Sequence, residues 1–214
     1  ELDLTGELVN SWQISSDQKT ITFKLKPNLK WADGKPLTSE DVLWTWQAVT
    51  DEKNGSPYAS DYQLVQKAEA PDPLTFRVTY NEPFAPAMNS WASLQILPKH
   101  LLEGHDLHTT SFTHKPVGSS FYKLDSWTAG QNIQLSRNST SVLGIANIDK
   151  LVSRIIPDSS AQFLELMADN IDSMSLDPTQ FSRIVPARPK LNQTLNLYKE
   201  LGSGSVSYTH LRAH

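Results

Sequence analysis

Thr20-Ile21-Thr22-Phe23-Lys24-Leu25-Lys26 alternates without a break. Ile21, Phe23 and Leu25 fall on one face and Thr22, Lys24 and Lys26 on the other, the period of a strand with one buried side. Upstream, Leu8 to Ser15 runs into the polar stretch Ser16-Asp17-Gln18-Lys19, which predicts a turn between two pairing strands. Downstream, Asp33-Gly34 marks another turn. Thr38-Ser39-Glu40-Asp41 has the form of a capping box, with a Thr38 hydroxyl to accept a free amide and acidic residues in the first turn. The helix expected to about Val49 carries Val42, Leu43, Trp46 and Val49 as a core-facing stripe at three- and four-residue spacing.

Thr75 to Tyr80 repeats the alternation with Phe76, Val78 and Tyr80, and Pro83 and Pro86 stop it. Phe84 to Ser93 suits a short helix, after which Pro98 opens a loop holding four of the six histidines. Phe121 to Leu124, Asn132 to Arg137 and Leu151 to Pro157 read as further strands. Pro157-Asp158-Ser159-Ser160 starts a helix through Met167, and Ile171 to Leu176 returns as a short strand. Hairpins thus mix with a few helices, with no repeat of roughly 20 to 50 residues. The expected class is α+β, a mixed β-sheet with flanking helices.

The 214 residues suffice for one large domain or two small ones. A net charge of −4, spread along the chain, argues against a nucleic-acid or anionic-membrane partner, whose footprint is a basic patch. Apolar residues at 38% and charged residues at 20% describe a folded chain. No apolar run approaches the roughly 20 residues that span a bilayer. The absence of cysteine removes disulfides, thiol nucleophiles, Fe–S clusters and cysteine-ligated zinc. Glu1 to Gly6 has neither the basic start nor the apolar stretch of a leader, so either a leader was removed or the chain starts inside a longer protein. Residues 202–214 begin with linker-like Gly202-Ser203-Gly204-Ser205 and continue none of the earlier patterns. They read as a non-native tail.

No nucleophile elbow, P-loop, dinucleotide fingerprint or H-E-x-x-H motif occurs, so no catalytic residues are expected and the chain does not read as an enzyme. An α+β hydrolase is the alternative from another class, and it lacks a visible nucleophile–base pair. His100, His105, His108 and His114 offer imidazoles, yet spacings of five, three and six do not share a helical face. A solvated loop is the expectation there, with no metal and no cofactor. Glu40 and Asp41 are adjacent, and neighbours on a helix point apart, so they serve the helix start rather than acid/base chemistry. Asn54-Gly55-Ser56, Asn138-Ser139-Thr140 and Asn192-Gln193-Thr194 fit the glycosylation pattern and are expected to be unmodified. Of six tryptophans, Trp12, Trp31 and Trp46 are assigned to the core. Ser56-Pro57-Tyr58-Ala59-Ser60-Asp61-Tyr62 reads as a proline-turned loop displaying two tyrosines whose hydroxyls can bond a ligand main chain.

These segments together resemble the oligopeptide/dipeptide-binding family, the peptide- and nickel-type extracellular solute-binding proteins of ABC importers. The carriers are Leu8-Val9-Asn10-Ser11-Trp12-Gln13-Ile14-Ser15-Ser16-Asp17, Thr20 to Leu25, and Trp31-Ala32-Asp33-Gly34-Lys35-Pro36-Leu37-Thr38-Ser39-Glu40-Asp41-Val42. Ile96-Leu97-Pro98-Lys99-His100, Pro116-Val117-Gly118 through Trp127, and Ile155-Ile156-Pro157-Asp158 follow in the same order. Three departures stand out. Val117-Gly118-Ser119-Ser120-Phe121-Tyr122 replaces the family's V-G-T-G-P-Y, Arg137-Asn138-Ser139-Thr140 replaces R-N-P-x-Y-W, and Asp169-Asn170-Ile171-Asp172 lacks the usual Gly-Glu.

The resemblance implies a type II periplasmic-binding-protein-like fold, with lobe one largely present over residues 1–201 and lobe two missing. It implies a substrate-binding component of an ABC importer that captures peptides outside the cytoplasmic membrane and hands them to permease subunits. A nickel or metal-complex binder is the alternative. The implied protein is a periplasmic or lipid-anchored cell-surface monomer of a bacterium, its leader absent from this chain. Tyr58 corresponds to the family's ligand-binding tyrosine, and Ser119 and Ser120 occupy a cleft-lining segment.

Overall fold

The computed structural model describes residues 5–189, 191 and 195–197, and they fall into two compact units that divide after Arg154. The alternating stretch forms strand β2 (Thr20–Leu25), with Ile21, Phe23 and Leu25 buried as its period requires. It pairs antiparallel with β1 (Val9–Ile14) on one side and β4 (Thr75–Tyr80) on the other, and β4 in turn pairs with β3 (Val65–Asp72). The resulting four-stranded sheet runs β1-β2-β4-β3. Phe23 stacks on Phe76, and Trp91 meets Phe76 and Tyr62 at ring-centroid distances of 5.0 Å each. Trp91 also donates from Nε1 to the buried Tyr80 hydroxyl at 2.8 Å, so the one polar atom of its ring is satisfied inside the core.

Helix α1 (Ser39–Thr50) packs beside this sheet, and its start is the expected capping box. Thr38 accepts from Glu40 N, and Asp41 accepts from Thr38 N at 2.8 Å. Asp41 does more than the sequence suggested: its other oxygen accepts from Lys99 N at 3.0 Å, so one buried carboxylate fastens the starts of α1 and of α3 (Lys99–Leu102). Glu40 points outward to Lys99 Nζ, so the adjacent pair does diverge. The short helix expected near Phe84 is α2 (Ala87–Ser93). Trp31 is only 1% exposed, and Trp12 and Trp46 pack half-buried against the same core.

A second sheet of the first unit is the meander β5 (Tyr122–Thr128), β6 (Asn132–Arg137) and β7 (Lys150–Arg154). The expected mixed sheet is therefore two separate sheets, and all named strand pairs among the described residues are antiparallel. β7 stops at Arg154, short of the expected Pro157. In the second unit Asp158 caps α4 (Ser159–Met167) by accepting from Ala161 N at 2.6 Å. Phe163, Leu166 and Val185 form its small core. Ile171 to Leu176 is not a strand: Ile171, Met174 and Leu176 pack against that core with no partner strand among the described residues. Among the described residues no helix is long and apolar enough to cross a membrane. The tail expected at 202–214 and the tripeptide at Asn192 to Thr194 lie outside the described residues.

Candidate functional site

The loop after α1 is held at several points. Asn54 donates from Nδ2 to Ala48 O at 2.8 Å, tying the loop to the helix, and Gly55 takes the left-handed φ of +56° that this reversal needs. Tyr58 N donates to Ser56 Oγ, and Ala59 N donates to Ser56 O, so Ser56-Pro57 forms a closed turn. A short 3₁₀ turn over Ala59–Tyr62 follows. Tyr58 ends 66% exposed, whereas Tyr62 is 4% exposed and spends its hydroxyl on Ser90 O at 2.9 Å. The expectation of two displayed tyrosines is thereby corrected to one. A 3₁₀ turn advances about 120° per residue, so positions four apart cannot share a face. Burial first, and the Asp61 charge next, push the Tyr62 phenol up to about 12.

The segment Gly118-Ser119-Ser120 is fastened from two directions. Ala32 N donates to Gly118 O at 2.8 Å, joining it to the Asp33-Gly34 turn. That turn is closed by Trp31 N to Lys35 O and by Leu37 N to Leu29 O, and Gly34 carries a φ of +87° that favours glycine. Asn138 donates from Nδ2 to Ser120 O at 2.8 Å, while its main-chain N donates to Phe121 O. Asn138 Oδ1 accepts from Thr140 Oγ1 and Thr140 N, and Thr140 Oγ1 lies 3.3 Å from Trp31 O as well. Asn138 is 2% exposed, so what the sequence offered only as a glycosylation tripeptide is a buried bracket for the Ser120 backbone. The signal available in advance was its position at the start of the R-N-P-like block.

Ser119 is half-buried and Ser120 exposed. Among the described residues no hydrogen bond joins Tyr58 to either serine; Tyr58 stands on one loop of the first unit and the two serines together on another. The histidines do not converge. His100 Nε2 lies 2.7 Å from Asp33 Oδ2, His108 Nε2 lies 3.2 Å from Lys53 O, and His114 stacks on Trp127. Among the described residues no group of three His, Cys, Asp or Glu side chains is placed to hold a metal ion. Burial works to raise the Asp33 carboxyl, but the His100 hydrogen bond and the Lys35 amide prevail and hold it below the usual carboxylate range.

The order of these loops and strands has a close counterpart elsewhere. Residues 3–211 match the bacterial extracellular solute-binding proteins, family 5, middle. The chain belongs to this family. Among family-5 relatives, the oligopeptide-binding protein AppA of Bacillus subtilis is 30% identical over 196 residues, covering 88% of this chain and 34% of AppA. The structure of AppA in complex with a nonapeptide superposes with a TM-score of 0.75 at 27% identity, covering 81% of this chain and 36% of that one. The ABC transporter substrate binding protein CtaP of Listeria monocytogenes gives 0.80 at 31% identity, covering 87% and 38%. NikZ of Campylobacter jejuni, solved with Ni(L-His), gives 0.79 at 28% identity, covering 83% and 36%. The chain thus spans little more than a third of the length of the relatives it matches.

Proposed function

We propose that this chain is the greater part of the first lobe, over residues 1–201, of a peptide-capturing component of an ABC importer. The observation that carries the reading is Tyr58: a phenol held out to solvent by a loop that is closed on itself and anchored at Asn54 and Tyr62. A rigid aromatic donor of this kind bonds a ligand main chain without choosing its side chains, which suits broad peptide tolerance. Ser119 and Ser120 provide a second contact segment, its backbone fixed by Gly118 and Asn138 and its hydroxyls less covered. The role is binding rather than catalysis and uses no resident cofactor. The protein works as a monomer outside the cytoplasmic membrane, periplasmic or anchored at the surface, and delivers to permease subunits. Closure of a second lobe over the ligand supplies the remaining contacts, by a hinge motion that the ligand favours.

The reading is tested by titrating di- to pentapeptides and Ni(L-His) into the protein translated from the complete reading frame and into the 214-residue chain. Peptide binding by the longer protein, with little or none by the shorter, is expected. Binding of about 1 μM by the shorter chain, about −8 kcal/mol, would sink the one-lobe reading. Uptake of Ni(L-His) but of no peptide would replace the ligand class.

A further inference from the structure

A cavity of about 400 Å³ opens beside β1, lined by Trp12, Phe23, Phe76, Met88, Trp91 and Leu94 among others. None of Tyr58, Ser119 or Ser120 lines it, so it is distinct from the candidate ligand segments. Its walls belong to the main core: Phe76 and Trp91 are buried core members, and Trp12 packs against them. The lining follows the sheet register. Trp12 sits opposite Phe23, and Phe23 opposite Phe76, so one row of large rings crosses three strands and stops at β1.

Among the described residues β1 has a partner only in β2. Ser15 N donates to Thr20 O, so by the alternation of an antiparallel pair the amides of Trp12 and Ile14 aim away from β2. β1 reads Val9-Asn10-Ser11-Trp12-Gln13-Ile14, with no charge and no proline, and its one register shift lies between Val9 and Ser11, leaving Trp12 to Ile14 in regular pairing with β2. The opposite edge is guarded in the usual ways: β3 carries Lys67, Glu69, Pro71 and Asp72 and two register shifts. One edge of the sheet is thus blunted against further pairing and the other is left able to accept it.

We infer that the free edge of β1 receives a strand from a part of the same polypeptide outside these 214 residues, which drops alternate apolar side chains into the cavity. The relatives supply the length: AppA is covered over only 34% of its sequence. The position of the cavity favours a permanent occupant over an exchanging one, because its walls are continuous with the ring stack that holds the sheet together.

Amide hydrogen exchange on the protein translated from the complete reading frame tests this. Trp12 and Ile14 amides are expected to be protected to within roughly tenfold of Ile21 and Phe23, which lie inside the sheet, at every protein concentration and without peptide. A photo-crosslinking residue in place of Ile14 is expected to capture a segment outside residues 1–214. Free exchange at Trp12 and Ile14 beside protected Ile21 and Phe23 would overturn the inference. So would protection that grows with protein concentration, the mark of a second copy, or that appears only with added peptide. Capture of residues within 1–214 alone would also contradict it.

Discussion

Asn138, at the end of β6, holds the carbonyl of Ser120 at 2.8 Å through its side-chain amide while its own oxygen is taken by Thr140. This couples the candidate contact segment to the start of the β6–β7 connection through a side chain that is itself buried. Asn138→Ala removes a buried amide and leaves the Ser120 carbonyl and the Thr140 amide without their partner, and is expected to cost about 2 kcal/mol. Urea unfolding measures the loss, and a change below about 0.5 kcal/mol would show that Asn138 is not the bracket described.

Asp41 and Glu40 differ sharply in spite of adjacency. Asp41 is buried and accepts from the main-chain amides of Thr38 and Lys99, whereas Glu40 is an exposed partner of the Lys99 side chain. Asp41→Ala is expected to destabilise by about 2 to 3 kcal/mol, since a charge-assisted cap and the anchor of α3 are lost together. Glu40→Ala is expected to stay under about 0.5 kcal/mol, as surface pairs do. Parallel denaturant titrations of the two variants separate these values.

The Asp33–His100 contact predicts an acid-sensitive contribution. The folded carboxyl sits below the ordinary aspartate value of 3.8, so the group favours the folded state above that pH and the benefit is lost as pH falls through the folded value. Asp33→Asn is expected to lower stability at neutral pH by up to about 1 kcal/mol and to have progressively less effect below pH of about 4. Thermal melts of parent and variant from acid to neutral pH measure it, and a constant offset throughout would contradict the assignment.

Tyr62 has the opposite sign. Its phenol is raised to about 12 from 10.0, so its contribution is complete below the unfolded value and disappears as pH rises through the folded one. An ultraviolet titration is expected to lose its latest tyrosinate step in Tyr62→Phe. The same variant should cost about 1 kcal/mol, the worth of the hydroxyl bond to Ser90 O. Retention of that late step would place the buried phenol elsewhere.

Sequence alone was a good guide where a local pattern and its burial coincide. β2, β4 and the capped start of α1 fall where alternation and the Thr38–Asp41 box put them. It failed where tertiary context supplies the reason. β3, Val65–Asp72, is charged, contains Pro71 and is bulged, because an edge strand is shaped to resist pairing rather than to advertise it. In Ile171 to Leu176 only Met174 and Leu176 alternate as in a strand, and burial against Phe163 and Leu166 satisfies them and Ile171 without a ladder. At the candidate site, nothing local in the motif distinguished exposed Tyr58 from buried Tyr62; the 3₁₀ turn between them did. Asn138 was legible as a residue type and not as a role, because Ser120, whose carbonyl it holds, and Trp31, which its neighbour Thr140 reaches, are distant along the chain and come together only through folding.

The most direct measurement is the peptide affinity of Tyr58→Phe in the protein translated from the complete reading frame, by calorimetry beside the parent. Loss of one main-chain hydrogen bond from an exposed phenol should weaken binding roughly two- to tenfold while leaving the unfolding midpoint unchanged. Unchanged affinity with a parent that binds peptide would contradict the placement of Tyr58 at the ligand.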